Sequence, residues 1–224
     1  MLANVDTVDL TIFGKGGHGA WPHTTVDPIV IAARTIVSLQ TIVAREIDPI
    51  DSAVITVGSI HGGTKHNIIP DEVRLQITVR SFKDDVRKHL LSAIERVTRA
   101  EAAAAAAPTP PAVKITPGTS ATYNDPKLTT RLVTALRRNL GKANVLEVQP
   151  KMGSEDFSEF GRAGVPAVML WVGAAEPAKI EAAKASGTSL PSLHSATFAP
   201  DRERTLRTAI QAETTAALEL LGKP

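Results

Sequence analysis

The chain has 224 residues, 43% of them hydrophobic and 21% charged, enough to bury a core without covalent staples. Lys+Arg 25 against Asp+Glu 23 leaves a net charge of +2, which is no footprint for a nucleic acid, and aromatics at 4% are too few for base stacking. The lack of cysteine excludes disulfides, thiolate zinc sites and thiol catalysis within the chain.

No stretch reads as long and apolar enough to span a membrane, and residues 1–7 (MLANVDT) lack the basic and apolar regions of a signal peptide. Val8 to Phe13 alternates and is β-branched, so it predicts a strand. A glycine-rich break follows, residues 14–19 (GKGGHG). Asp27-Pro28 opens a predicted helix whose apolar positions keep a helical period to about Arg45. Ala53 to Ile60 is a second strand, residues 61–70 (HGGTKHNIIP) a loop, and Val73 to Arg80 a third strand with alternating faces. Asp84 to Ala107 reads as a second helix, ended by Pro108 to Pro111, and Ala112 to Thr116 as a fourth strand. The order β-α-β-β-α-β over residues 7–117 is the split βαβ, ferredoxin-like pattern.

Residues 118–224 differ. Asn124-Asp125-Pro126 caps a helix to Leu140, closed by Gly141. Val145 to Val148 reads as a short strand, and Ser154 to Phe160 as a short helix with Glu155 and Asp156 in its first turn. Val165 to Val172 is continuously apolar, as a strand buried on both faces would be. A polar helix and loop and a closing helix, 201–221, complete a partial α/β segment.

Few residues carry chemistry. His18 follows a strand in a glycine-rich turn, where its imidazole is unshielded and able to donate to a developing oxyanion; a turn histidine without a role is the competing reading. Asn67 and Arg80 would converge on one carboxylate if the strand folds back, Arg80 gripping it bidentately. On spacing alone, an arginine on a solvent face is the favoured reading of Arg80. Gly153 and Ser154, in the string MGSEDF, lie at a predicted helix N-terminus that binds anions through free N–H groups, while Glu155 and Asp156 do local capping; plain N-capping competes strongly. His194 follows a polar loop and is a metal-ligand type, but one imidazole does not make a metal site. His89 sits on a charged helix face and reads as solvated.

The strings GKGGHGAWPHTTVDPIVIAA, VGSIHGGTKHNIIPDEVRLQITVRSF, MGSEDF and LPSLHSATFAPD closely resemble the aminoacylase, hippurate hydrolase and indole-acetyl-amino-acid hydrolase group of metal-dependent amidohydrolases. The resemblance runs over essentially the whole chain, in order. It implies a catalytic α/β domain holding two divalent metals, zinc or manganese, with an inserted ferredoxin-like lid that dimerises. Residues 7–117 then correspond to the lid, and 118–224 to the C-terminal part of the catalytic domain.

It also implies roles residue by residue. His18 resembles the lid histidine that reaches the partner subunit's active site and polarises the scissile carbonyl. Asn67 and Arg80 resemble residues holding the substrate's carboxylate end, helped by Gly153 and Ser154, with Glu155 in the same motif. His194 resembles the last metal ligand. The family's N-terminal segment, with its other ligands and its general base, has no counterpart here. The expectation is therefore an N-acyl amino acid or small-peptide hydrolase present as its C-terminal portion, inactive alone, homodimeric through the lid, and cytoplasmic. No nucleic-acid or membrane partner is expected. A non-catalytic dimerisation and binding module, or one half of a split enzyme, is the alternative.

Overall fold

In the computed structural model, which describes residues 1–222, strand β1 runs Asn4–Phe13 and begins four residues before the expected start. Its inward positions are Asn4, Asp6, Val8, Leu10 and Ile12, all buried. The first two are polar, which breaks the apolar alternation and hides the strand's beginning from periodicity. Each finds a partner. Asn4 Nδ2 donates to Ser81 Oγ at 2.9 Å, and Asn4 Oδ1 accepts from the Ser81 N–H at 3.0 Å. Asp6, whose side chain is 0% exposed, accepts from Arg87 Nε at 2.7 Å and from Nη2 at 2.6 Å. That bond to Asp6 raises the Arg87 pKa above its ordinary value, against the opposing effect of burial.

The chain continues through β2 (Gly17–His18), α1 (Pro28–Glu46), β3 (Ala53–Gly62), β4 (Ile68–Ile69), β5 (Glu72–Ser81), α2 (Asp84–Ala104) and β6 (Ala112–Pro117). Next come α3 (Pro126–Leu140), α4 (Ser158–Arg162), α5 (Pro177–Ser186) and α6 (Arg202–Leu221). The long elements before residue 118 keep the expected order. The short pair β2 and β4, bonded antiparallel, lies in segments expected to be loops.

β3, β5, β1 and β6 form one antiparallel sheet in that order, so β3 and β6 are its edges. Leu10 and Ile12 of β1, with Val73, Leu75, Ile77 and Val79 of β5, meet Ile31, Leu39 and Ile42 of α1 and Leu90 and Ile94 of α2. Both helices therefore cover one face. The opposite face is polar: Ser59 Oγ donates to Gln76 Oε1 at 3.2 Å, and Gln76 Nε2 to Asp9 Oδ1 at 3.1 Å, a chain across three strands.

Asp27 caps α1 by accepting from the Ile29 N–H at 2.8 Å. This helix is, by length and composition, long and apolar enough to cross a membrane, which corrects the reading that no such stretch exists. Its buried side, Ile31, Ala32, Thr35, Leu39 and Ile42, is part of the core, as in a core helix of a globular unit. At its end, Glu46 accepts from Arg96 Nη2 at 2.7 Å and lies 2.9 Å from His89 Nε2. The Arg96 bond, with help from His89, holds the Glu46 carboxyl below its ordinary value. His89, expected to be solvated, is thus half-exposed and paired.

α2 stops three residues before the expected Ala107. Pro108 disfavours helical backbone at the residue before it, and Ala106 turns left-handed at φ +53° while the Ala107 N–H returns to Ala102 O at 3.0 Å.

The chain forms two compact units. One comprises Met1–Tyr123 with Gln149–Val165; the other comprises Asn124–Val148 with Pro166 onward. The expected division after residue 117 places 149–165 with the second part. In the structure they join the first, because the Ala3 N–H donates to Gly153 O at 2.9 Å and the Lys151 N–H to Met1 O at 3.1 Å.

In the second unit α3 packs on α6. Asp125 and Asp201 cap these helices, accepting from the Leu128 N–H at 2.7 Å and the Arg204 N–H at 3.3 Å. The strands expected at 145–148 and 165–172 do not form. A strand exists through bonds to neighbouring strands, and neither segment has such a neighbour among the described residues. Residues 167–169 are held by side and main chain instead: Asn124 Nδ2 donates to Met169 O at 3.0 Å, and the Asp125 N–H to Ala167 O at 2.9 Å.

Candidate functional site

The first cluster is the glycine-rich turn after β1. The Gly14 N–H donates to Asp71 O at 2.8 Å, and the Gly16 N–H to Asp71 Oδ1 at 2.8 Å. A Cβ on Gly16 would lie 2.8 Å from Ile69 O, closer than backbone tolerates, so only glycine fits. β2 and β4 then pair, Gly17 opposite Ile69 and His18 opposite Ile68, and the Gly19 N–H reaches Asn67 O at 2.8 Å. His18 and Asn67, far apart in sequence, are neighbours.

His18 to Trp21 forms a turn closed by the Trp21 N–H on His18 O at 2.9 Å. Inside it, the Ala20 N–H donates to His18 Nδ1 at 3.1 Å. A backbone N–H only donates, so Nδ1 is the acceptor and the neutral ring carries its proton on Nε2. The ring of Trp21 lies 5.2 Å from that of His18, tilted 45°. His18 is exposed, so an Nε2–H donor is available to a ligand carbonyl.

The second cluster is at the other end of the sheet. Arg80 sits between Val5 and Val54 on the polar face. Its Nη1 donates to Met152 O at 2.7 Å, within the string MGSEDF. The half-buried guanidinium pairs with no carboxylate among the described residues, leaving donors for an anion. Ser154 lies two residues beyond this contact and is half-buried.

Two expectations change here. Glu72 and Arg80 are separated by eight steps of about 3.3 Å along β5, roughly 26 Å, and Asn67 lies beyond the Glu72 end beside Gly19, so Asn67 and Arg80 do not converge within one chain. The folding back needed for convergence is taken up by β5 running straight along the sheet. The helix expected from Ser154 starts instead at Ser158 and has 5 residues. Gly153 and Ser154 are therefore not at its N-terminus: Gly153 O is engaged by the Ala3 N–H, and Glu155 precedes the helix, its Oε1 accepting from the Asp156 N–H at 3.2 Å.

His194 belongs to the second unit. It is exposed, in a turn closed by the Ser195 N–H on Ser192 O at 3.1 Å, with a left-handed φ of +66°. Among the described residues no group of three or more His, Cys, Asp or Glu side chains could hold a metal ion. The donors present do not fit a two-metal centre, and His194 is a single candidate ligand.

Sequence reasoning missed Asp71 and Trp21. Asp71 reads as a surface acid at a strand start, and nothing in its neighbourhood announces a partner 55 positions away. Trp21 had a signal in its position three residues after His18, the spacing of a closed turn.

Comparison with known proteins adds likenesses to this geometry. Residues 2–106 match the family model of the peptidase dimerisation domain, M20_dimer. The N-acetyldiaminopimelate deacetylase of Leuconostoc citreum (strain KM20) is 37% identical over 174 residues, 77% of this chain and 44% of that protein. Thermostable carboxypeptidase 2 of Saccharolobus solfataricus is 35% identical over 161 residues, 71% of this chain and 40% of that one. A crystal structure from methicillin-resistant Staphylococcus aureus superposes with a TM-score of 0.79 at 28% identity, over 97% of this chain and 52% of that chain. The YXEP protein of Bacillus subtilis, a dinuclear metal binding peptidase from the M20 family, shares the fold at a TM-score of 0.73 and 24% identity, over 99% of this chain and 51% of that one. Over residues 2–106 the chain is thus similar to a peptidase dimerisation domain, and over most of its length to deacetylases and a carboxypeptidase. It spans about half the length of the curated relatives it matches.

Proposed function

We propose that this chain serves the hydrolysis of amide bonds in N-acyl amino acids or small peptides, with residues 7–117 as a ferredoxin-like lid and 118–224 as part of a catalytic domain. The carrying observation is Arg80, a guanidinium without a carboxylate of its own, oriented by the carbonyl of Met152. It is suited to the carboxylate of an amino acid, with Ser154, two residues beyond Met152, as a second donor. His18 is suited to the other end of the reaction, as an Nε2–H donor to the carbonyl oxygen. The strand order β3-β5-β1-β6, with two helices on one face, supports the lid reading.

One chain holds these groups at opposite ends of its sheet, so a single substrate meets both only if two chains combine. The surface for this is β3, a free edge, with the outward side of α1 beside it: Val30, Ala33 and Val37. Val37 is 69% exposed. We expect a dimer by light scattering at micromolar concentration and a monomer with unchanged helix content for Val37→Asp. A wild-type monomer would overturn this pairing.

In the proposed whole enzyme His194 would be one ligand of a divalent-metal centre whose chemistry would be to activate a water, and this chain's described residues offer no further ligand cluster for it. The residues of this chain do the rest: Arg80 and Ser154 bind and orient the carboxylate end, and His18 and Asn67 of the second copy face the carbonyl. The test is turnover of N-acetyl and hippuryl amino acids with zinc or manganese. The chain alone is expected to be inactive, and to turn over substrate when mixed with a polypeptide carrying the N-terminal half of a homologous amidohydrolase. Brisk turnover by the chain alone would overturn the division of labour. No turnover in the mixture would favour the second reading, a dimerisation and binding module, which the lack of a ligand cluster among the described residues supports.

A further inference from the structure

The turn holding His18 contains one large side chain to which nothing above gives a task. Trp21 is 60% exposed, although burying an indole is worth far more than leaving it in water. Its backbone is fixed on both sides. The N–H donates to His18 O at 2.9 Å, and the carbonyl accepts from the Thr24 N–H at 3.1 Å and from Thr24 Oγ1 at 2.9 Å. Pro22 locks the next backbone dihedral. The ring is thus aimed by a rigid main chain, and the group it meets is His18, at 5.2 Å and 45°.

An exposed histidine on a glycine-rich turn has two free side-chain torsions. The single bond from the Ala20 N–H to Nδ1 restrains its plane only weakly. A ring held 5.2 Å away and tilted 45° to the imidazole limits the swing that would break that bond. We propose that Trp21 is a positioning residue for His18: its indole braces the imidazole so that Nδ1 stays on the Ala20 N–H and Nε2–H is presented outward. The proposal rests on the oxyanion-donor reading of His18 for its catalytic meaning, but the bracing itself is a property of this turn.

The test is amide hydrogen exchange by NMR on the whole 224-residue chain, which separates the two ideas because it involves no turnover. The Ala20 amide reports the bond to Nδ1, and the Gly19 amide, bonded to Asn67 O, reports the turn. Trp21→Ala is expected to accelerate Ala20 exchange about tenfold, the value of one ordinary hydrogen bond, and to leave Gly19 unchanged. Trp21→Phe, which keeps a flat ring, restores the wild-type rate within about twofold. In a His18→Ala background Ala20 already exchanges fast, and adding Trp21→Ala changes nothing further. Equal acceleration by Trp21→Ala in the presence and absence of His18 would overturn the proposal, since Trp21 would then act on the backbone. Unchanged Ala20 exchange would overturn it too, as would equal acceleration of Gly19. Inactivity of the complete assembly toward acylated amino acids would leave this outcome untouched.

Discussion

Asp6→Ala is expected to destabilise the first unit by about 3–5 kcal/mol, because it leaves a largely buried guanidinium without its partner. Arg87 is 16% exposed and gives two of its donors to Asp6. Asp6 Oδ1 also accepts from the Gly118 N–H at 3.3 Å, so the substitution loosens the chain where it leaves β6. Urea denaturation followed by circular dichroism measures the loss. A change below about 1 kcal/mol, the range of exposed pairs, would show that the ion pair contributes as a surface contact. Replacing both partners, Asp6→Leu with Arg87→Met, is expected to recover most of the stability, since two apolar groups leave no charge without a partner.

Arg80→Ala is expected to raise KM for acylated amino acids about 10- to 100-fold in the reconstituted enzyme, the value of a charge-assisted hydrogen-bond pair. The amide of the same amino acid, lacking the carboxylate, should lose much less. Arg80→Lys keeps the charge but not the planar fork, so it should fall between. The bond to Met152 O leaves the rest of the guanidinium for the ligand and fixes its plane. A KM equally raised for acid and amide would mean that Arg80 serves the local structure of the MGSEDF segment. An unchanged KM would remove it from the site.

Much of this was legible in the residues. The alternation of Val73, Leu75, Ile77 and Val79, and the cap-and-proline starts of α1 and α3, are local signals and the structure follows them. Asn4 and Asp6 defeated periodicity because their burial depends on Ser81 and Arg87, more than 70 positions away. Val165 to Val172 failed for the opposite reason. Its composition suits a buried strand, but a ladder needs a second strand that hydrophobicity cannot supply. In the candidate site, residue types left His18 and Arg80 open and the family resemblance singled out His18, Asn67 and Arg80, while their separation depends on β5 running unbroken from one end of the sheet to the other.

That unbroken strand works as a calliper. Its count of residues fixes both the reach from the Asp71 anchor to Arg80 and the side on which the guanidinium emerges. Two extra residues in β5 would stretch the reach by about 7 Å and keep Arg80 outward, whereas a single insertion would rotate it into the hydrocarbon between the sheet and the helices. Length variation among domains built this way should therefore come in even steps.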